Sequence, residues 1–343
     1  MYKFLPVILV GFLSSGLFAQ SSDTLVYIPT PEQQLADSLL VDSLWNLLDA
    51  EKLVEMDSSV NDNAERIDLN EGSFQPGSYI TYQEAFEEED YIPSFSSEDL
   101  RLRIEAMQSE IPYVYNEYVD RYIRVYANKR RKQVRRMLSD GQHYFPMIEQ
   151  IFLEEGLPES LKYMAIIESA LRPVAVSRVG ATGMWQFMYA TGKEYGLKMN
   201  KYVDERRDPE KATRQAARYL NNMYKRYQDW YLVIAAYNCG PGNVNRAIRR
   251  SGGNTDFWTI RKYLPRETRG YVPAFIAASY VMTYNYEHNL HPGKPSVYQG
   301  DTYSITVHDQ TSFDKVSKFT GVSDSILTMI NPHIKRKFLP TST

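Results

Sequence analysis

The sequence predicts a mainly α-helical protein with an acidic, largely disordered N-terminal segment and a small α+β module near its C-terminal end. Three observations lead to this expectation. Apolar residues recur at helical spacing between residues 97 and 286, acidic side chains dominate the residues before them, and residues 303–307 alternate like a strand. Between Arg101 and Tyr286 no convincing strand pattern occurs, so this domain should be almost all helix.

Residues 1–19 have the pattern of a secretory signal: Lys3 near the start, an apolar run over Phe4–Phe18, and a small-residue cleavage site at Ala19. We expect cleavage after Ala19 and export to the periplasm or cell envelope. The run is short for a membrane span of roughly 20 residues, which disfavours a permanent anchor but leaves peripheral membrane association open. The only cysteine is Cys239, so we expect neither a lipid anchor at the cleavage site nor an internal disulfide.

The charge changes sign along the chain. Residues 20–95 contain 17 acidic and 2 basic side chains, a net of −15, whereas residues 101–343 contain 23 acidic and 36 basic ones, a net of +13. The acidic composition predicts a largely disordered linker over 20–96 with one short helix around Leu39–Leu53. The basic part can attract a polyanion. In an exported protein we expect cell-wall carboxylates rather than nucleic acid, and a merely solvated surface explains the charge equally well.

Several helices have recognisable ends. Asp208, Pro209 and Glu210 form a strong start signal, because Asp caps free amides and Pro suits the first turn. The predicted helices of the domain cover 121–138, 144–156, 159–171, 209–227, 229–238, 243–250 and 267–284. In the tail we expect a strand over 303–307 and helices over 312–320 and 322–330, in a module that begins near Val297.

Glu168 is the candidate catalytic acid. In the predicted helix 159–171, apolar residues such as Leu161 and Ala165 share a stripe with position 168, so the carboxyl should face the core. Removal from water raises the pKa of a carboxyl, which a general acid at neutral pH requires. The alternative for a lone Glu is a partly buried ion pair with Arg172, four residues further on.

A glycine-containing loop follows Glu168. Gly180 and Gly183 would let backbone approach a ligand closely, while Trp185 and Gln186 offer an aromatic face and an amide for sugar hydroxyls. Taken alone, this loop could equally be a tight turn.

Two further clusters follow in the sequence. Tyr237 and Asn238 end a helix just before Gly240-Pro241-Gly242, where a cleft could open. Glu267 and Tyr271 belong to the segment Glu267–Pro273, for which a plain helix N-terminus is the alternative interpretation.

Five collinear segments resemble the lytic murein transglycosylases, most closely the membrane-bound type D group. These segments are ESALRPVAVSRVGATGMWQF, TGKEYGL, DERRDPEKATRQAARYL, AAYNCGPGNVNRAI and LPRETRGYVPAF. The resemblance implies a helical fold like that of goose-type lysozyme (the SLT domain) over residues 97–290, and an enzyme that cuts the glycan strands of peptidoglycan.

The same resemblance implies the roles of individual residues. The Glu of the Glu-Ser pair is the sole catalytic acid and base, which places that role on Glu168. The substrate-binding residues implied to line the cleft are Ser177, Gln186, Tyr237, Asn238, Glu267 and Tyr271.

The implied reaction cleaves the β-1,4 bond between N-acetylmuramic acid and N-acetylglucosamine and leaves a 1,6-anhydro end, without metal or organic cofactor. Glycosidases generally use two carboxylates. No acid occurs between Glu168 and Glu194, although Glu267 or Asp208 could come close in space. The five histidines lack the spacing of a zinc site, and no G-x-S-x-G or GxxxxGK motif occurs.

Two rival functions remain at this point. One is a hydrolytic muramidase on the same fold, and the other is a non-catalytic protein that binds the cell wall. In each case we expect a monomer. The tail resembles a LysM glycan-binding module over residues 303–332, although the usual Gly-Asp pair appears as His308 and Asp309.

Overall fold

The computed structural model describes residues 6–10, 91–298, 300, 302–307 and 309–339. Most of the predicted signal and the linker with its helix at Leu39–Leu53 lie outside the described residues. These two remain predictions.

The structure is mainly α-helical, as predicted. Its α-helices are α1 (Ser97–Ala106), α2 (Glu117–Arg124), α3 (Arg131–Glu154), α4 (Met164–Ser169), α5 (Tyr189–Glu194), α6 (Pro209–Tyr227), α7 (Trp230–Cys239), α8 (Pro241–Arg250), α9 (Phe257–Ile260), α10 (Arg266–Arg269), α11 (Tyr271–Thr283), α12 (Phe313–Thr320) and α13 (Asp324–Ile330). A π-helix covers Val125–Lys129, and 3-10 helices cover Glu159–Tyr163, Glu205–Arg207 and Arg261–Tyr263. The strands are β1 (Pro6–Val10), β2 (Thr302–Thr306), β3 (Thr311–Ser312) and β4 (Phe338–Leu339).

Helix α11 is the centre of the core. Its sequence, YVPAFIAASYVMT, has no polar face, and every residue except Thr283 is buried. A helix that is apolar all round must be covered on all sides. Helices α2, α4 and α7 pack against it, so the helix that carries Glu168 lies against the most deeply buried element of the protein.

Helix α3 differs from the prediction, which placed a break between residues 138 and 144. One continuous helix covers this region and includes both Gly141 and Pro146. A Cβ atom at Gly141 would lie 2.7 Å from the ring of Phe145, so the glycine makes room for that ring against its own helix. Burial of Leu138 and Tyr144 in the core outweighs the weak helix propensity of glycine.

The capped helices follow the prediction closely. Asp208 accepts a hydrogen bond from the backbone N–H of Lys211 at 3.0 Å, and α6 begins at Pro209. Asp229 caps α7 in the same way, and Gly240 ends that helix with a φ of 79°. The predicted helix 267–284 is instead two helices, because the chain leaves the helical hydrogen-bond pattern at Gly270 between α10 and α11.

The tail contains the predicted strand followed by two helices and has its own apolar cluster. This cluster consists of Phe313, Val316, Val322, Leu327, Ile334 and Leu339. Strand β2 pairs antiparallel with β1, a segment of the predicted signal, with Pro6 opposite Thr306. Strand β4 pairs with β3.

The tail docks on the loop between α5 and α6. The backbone N–H of Asp204 donates to the carbonyl of His333 at 2.9 Å, and that of Lys335 donates to the carbonyl of Tyr202 at 2.8 Å. The rings of Tyr202 and Phe338 have centroids 5.7 Å apart. Over the described part of the chain, no helix combines the length and hydropathy needed to cross a membrane.

Candidate active site

Glu168 lies at the end of α4 with its carboxyl turned toward the core. The residue is only 6% exposed, and Leu161 and Ala165 are fully buried on the same side, as the helical stripe predicts. Burial, with a smaller contribution from the negative charge of Glu267, raises the pKa of Glu168 to about 8. The acid form therefore predominates at neutral pH.

One oxygen of the Glu168 carboxyl is held by a neighbour. The buried hydroxyl of Tyr271, at the start of α11, donates a hydrogen bond to Oε1. This bond lowers the pKa of Glu168, opposing the larger effect of burial. The other oxygen, Oε2, makes no hydrogen bond with the residues that the structure describes, and 6% of the surface of Glu168 remains exposed. Oε2 is thus the atom that can exchange a proton with a ligand.

The chain turns sharply immediately after Glu168. Ala170 and Leu171 have φ values of 53° and 62°, in the left-handed region that side chains other than glycine rarely adopt. Ser169 stabilises this turn: its hydroxyl donates to the carbonyl of Met184 at 2.8 Å and accepts from the backbone N–H of Arg172 at 3.0 Å. Ser169 was missed as a site residue, because its role depends on a contact 15 residues away.

Trp185 does not present an aromatic face to a ligand, so the sequence-based interpretation was wrong. Its side chain is fully buried, its ring contacts Phe152, and its indole N–H donates to the hydroxyl of Thr213 at 2.8 Å. A buried tryptophan needs a partner for that N–H, and α6 supplies one. Trp185 therefore fixes the loop onto the core.

Gly183 also has a different role from the one predicted. It adopts a φ of 89°, and a Cβ atom there would lie 1.7 Å from the carbonyl oxygen of Arg206. The glycine permits close approach to protein backbone rather than to a ligand. Gly180, with a φ of 83°, has open space around the position of its missing Cβ.

Arg206 connects this loop to the segment where the tail docks. Its guanidinium donates to the carbonyls of Gly180 at 3.0 Å and Phe187 at 3.1 Å. It also makes a bidentate ion pair with Asp204, at 3.0 and 2.8 Å. The segment DERR is among the blocks of the resemblance, but nothing in the sequence alone indicates which of its arginines is the buried one.

Tyr237 lies close to Glu168, whereas no hydrogen bond joins Gln186 to that carboxyl in the described structure. Gln186 has a φ of 48°, and its amide donates to the carbonyl of Gly183 at 2.7 Å. The hydroxyl of Tyr237 donates to the carbonyl of Trp185 at 2.8 Å. Burial raises the pKa of Tyr237 well above its usual value, and the charge of Glu168 adds to this effect. The structure thus brings Tyr237 close to the acid.

Thr268, which directly follows Glu267 in the sequence, forms a hydrogen bond with Asn238. The sequence did not single out Thr268. The hydroxyl of Thr268 donates to Oδ1 of Asn238 at 2.7 Å and is buried. Glu267 itself is exposed, and it affects Glu168 through its charge. It is the acidic residue that influences the pKa of Glu168, whereas Asp208 caps α6.

Ser177 is not brought into contact with the acid. Its hydroxyl accepts from the backbone N–H of Ala181 at 3.1 Å, within its own loop. No hydrogen bond joins it to Glu168 or Tyr271 in the described structure. A role in ligand binding therefore remains a prediction for Ser177. The described residues also include no group of three or more His, Cys, Asp or Glu side chains arranged to hold a metal ion.

The chemistry available here is that of a single carboxylic acid. A buried neutral carboxylic acid can donate its proton to a leaving group, and the phenol of Tyr271 can stabilise the resulting carboxylate. An arrangement of two carboxylates flanking a bond would require Glu267 to reach the same substrate.

The chain is similar to several lytic transglycosylases in the region that contains this site. Residues 147–259 match the transglycosylase SLT domain. The chain is 32% identical over 194 residues to the membrane-bound lytic murein transglycosylase D of Escherichia coli K12, covering 55% of this chain and 42% of that protein.

A second relative is the membrane-bound lytic murein transglycosylase F of Pseudoalteromonas translucida, 34% identical over 160 residues, with 40% of this chain and 32% of that protein covered. Among solved structures, the 70 kDa soluble lytic transglycosylase of Escherichia coli has 28% sequence identity to this chain. The match covers 43% of this chain and 25% of that one, with a TM-score of 0.36. The chain spans less than half the length of the relatives it matches. Glu168 and the loop that follows it lie within residues 147–259, the part of the chain that matches the transglycosylase SLT domain.

Proposed function

We propose that this protein is a peptidoglycan lytic transglycosylase in which Glu168 acts first as the acid and then as the base. The observation that carries the proposal is the buried Glu168 carboxyl, whose pKa is raised to about 8 and whose Oε2 makes no hydrogen bond within the described protein. The SLT domain match and the relatives described above support peptidoglycan glycan as the substrate.

The first step uses the proton of Glu168. Oε2 donates it to the oxygen that bridges N-acetylmuramic acid and N-acetylglucosamine, and the bond from C1 to that oxygen breaks. The N-acetylglucosamine side leaves with the proton, while positive charge develops at C1 of the muramic sugar. Glu168 is now a carboxylate, and Tyr271 stabilises it through the hydrogen bond to Oε1.

The second step restores the acid. The C6 hydroxyl of the same muramic sugar attacks C1, and the carboxylate of Glu168 removes the hydroxyl proton. The product is a 1,6-anhydro end, and neither water nor a cofactor is consumed. The high pKa of Glu168 favours this step as well, because a carboxylate that holds protons tightly is the stronger base.

Gln186, Tyr237, Asn238 and Glu267 would complete the cleft around the sugars, with Ser177 further along the loop. The proposed place of action is the periplasm or cell envelope, and peripheral contact with a membrane is compatible with it. We propose that the protein acts as a monomer on glycan strands, without nucleic acid. Glycan binding by the LysM-like tail belongs to the same proposal.

Hydrolysis on the same fold is the competing reaction, and isotopic labelling separates the two. Purified peptidoglycan is digested in water enriched in ¹⁸O, and the soluble fragments are analysed by mass spectrometry. We expect anhydro-muropeptides without incorporated ¹⁸O. Reducing-end fragments that carry one ¹⁸O atom would replace this proposal with a muramidase. If the protein bound sacculi but released no fragment, a wall-binding function would replace it.

A further inference from the structure

A groove is lined mainly by residues of α6, and Glu168 is not part of its lining. It has a volume of about 460 Å³ and is open to solvent on one side. Arg218, Asn222 and Lys225 of α6 line it from one side, at helical spacings that place them on one face. Glu194 and Tyr195, at the end of α5, line it from the other.

Aromatic rings connect this groove to Tyr237, which lies close to Glu168. The ring of Tyr195 contacts that of Tyr219, with centroids 5.4 Å apart, and Tyr219 contacts Tyr237 at 5.3 Å. Tyr237 is the residue whose hydroxyl holds the backbone of Trp185 beside Glu168. Three aromatic rings in contact therefore link the groove to the surroundings of Glu168.

The groove brings together charges of both signs that make no ion pair with each other. Glu155 and Glu194 contribute carboxylates, and Arg218 and Lys225 contribute cations. None of the four takes part in a salt bridge within the described structure, whereas Arg214, on the same helix, pairs with Glu154 at 2.8 Å. Their charges remain available to a ligand.

Hydrogen bonds hold the polar lining in place. The amide of Asn221 donates to the backbone carbonyl of Glu155 at 2.9 Å, and the amide of Asn222 donates to the hydroxyl of Tyr195 at 3.3 Å. The guanidinium of Arg218 donates to the side-chain oxygen of Gln215 at 3.3 Å. The lining is thus partly organised before any ligand binds, which lowers the entropic cost of binding.

We propose that this groove binds the peptide part of peptidoglycan, at a segment that has a free amino group and a free carboxylate close together. The cations would hold the carboxylate and the two glutamates would hold the ammonium group. A neutral glycan carries no charges that could pair with the four charged side chains of the groove. A polyanion would be repelled by the two glutamates. This inference depends on the proposed function for its substrate class, but the groove itself does not include Glu168.

The first test measures peptide binding without turnover. The probe is the free tetrapeptide L-alanyl-γ-D-glutamyl-meso-diaminopimelyl-D-alanine, titrated into the full chain carrying Glu168→Gln and followed by NMR. Adding Arg218→Gln and Lys225→Gln should weaken binding by roughly three- to tenfold, the range expected for exposed charge pairs. The matched control is Arg249→Gln with Arg250→Gln, which removes the same charge from exposed positions of α8 and should leave the affinity unchanged.

The second test compares two substrates with the active protein. On intact peptidoglycan, Arg218→Gln with Lys225→Gln should raise KM several-fold and leave kcat unchanged. On glycan strands from which an amidase has removed the peptides, the double variant and the wild type should have equal KM. Equal effects of the double variant on both substrates would overturn the proposal, as would tetrapeptide binding that is absent or indifferent to the double substitution.

The two proposals fail in different ways. If the wild type released no fragments but the tetrapeptide bound and the double variant weakened it, the groove would stand and the transglycosylase function would fall. If the wild type produced anhydro-muropeptides and the double variant matched it in both tests, the function would stand and the peptide site would fall.

Discussion

The folded protein becomes less stable as the pH rises, because the buried Glu168 carboxyl keeps a proton that it releases when the chain unfolds. The pKa of this carboxyl is about 8 in the folded protein, against an ordinary value of 4.5. Between these two values unfolding releases a proton, so the free energy of unfolding falls with rising pH. The same burial that prepares the acid thus costs stability at neutral and alkaline pH.

The variant Glu168→Gln removes this dependence and should be more stable than the wild type at pH 8. We expect the difference in free energy of unfolding between the two to grow by roughly 3 kcal/mol from pH 5 to pH 8. Urea denaturation at both values measures it. The exposed Glu267→Gln serves as the control and should show no comparable growth. A constant difference across this range would mean that Glu168 is ionised in the folded protein.

Tyr271 tunes the acid through a single hydrogen bond. The variant Tyr271→Phe leaves Oε1 of Glu168 without a donor, which destabilises the carboxylate that the second step needs. We expect kcat to fall by roughly 10- to 100-fold. Because the hydrogen bond lowers the pKa of Glu168, the alkaline limb of the pH–rate profile should move to higher pH. An unchanged or lower alkaline limb would contradict this role.

At the scale of elements, the loop that follows Glu168 needs the small size of glycine at position 183 but not at position 180. Gly183→Ala would place a Cβ atom 1.7 Å from the backbone oxygen of Arg206, so the loop or the 3-10 helix at Glu205–Arg207 must move. Gly180→Ala meets nothing within 4 Å and has a similar positive φ, so it controls for backbone strain alone, about 1 kcal/mol. We expect Gly183→Ala to lower both Tm and activity markedly more than Gly180→Ala. Equal effects of the two would exclude the contact with Arg206 as the cause.

The elements that could be predicted from the sequence are those with local signals. Asp208 followed by Pro209 fixes the start of α6, and Gly240 fixes the end of α7, because caps act over a few residues. The continuity of α3 could not be predicted, since it depends on the burial of residues on both sides of Gly141 in a core formed by distant helices. The break at Gly270 has no local signal that distinguishes it from a helical glycine.

The features of the candidate site likewise fall into those that local sequence predicts and those that depend on distant partners. Burial of Glu168 follows from the helical stripe of its own segment, and the resemblance selects it and Tyr271. The roles of Ser169, Thr268 and Arg206 depend on partners between 15 and 30 residues away, which periodicity cannot show. The sequence suggests a ligand contact for Trp185 for the same reason, because its actual partner Thr213 lies 28 residues away in α6.

At the scale of the whole molecule, the tail supports the segment that holds the site loop. It makes backbone hydrogen bonds to Tyr202 and Asp204, and Asp204 pairs with the guanidinium of Arg206 that bonds the loop of Gly180. These contacts form a continuous connection between the apolar cluster of the tail and the neighbourhood of Glu168.

Unfolding of the tail should therefore expose the amide of Asp204. Leu327→Ala removes a fully buried side chain from the small apolar cluster of the tail, at a cost of about 2–5 kcal/mol. We expect hydrogen exchange at the Asp204 amide to accelerate at least tenfold, because its acceptor is the carbonyl of His333. The control is Phe319→Ser, at a position 89% exposed in the same module. Unchanged exchange at Asp204 in an unfolded tail would show that the docking contact is not maintained in solution.

The most direct test of the central claim, that Glu168 alone supplies the acid and the base, compares two glutamine variants on purified peptidoglycan. Initial rates of fragment release are measured for the wild type, Glu168→Gln and Glu267→Gln under identical conditions. The account predicts a loss of at least about 10³-fold for Glu168→Gln, and a loss of no more than about tenfold for Glu267→Gln, which acts through its charge. Comparable losses in both variants would contradict it and indicate a mechanism with two carboxylates.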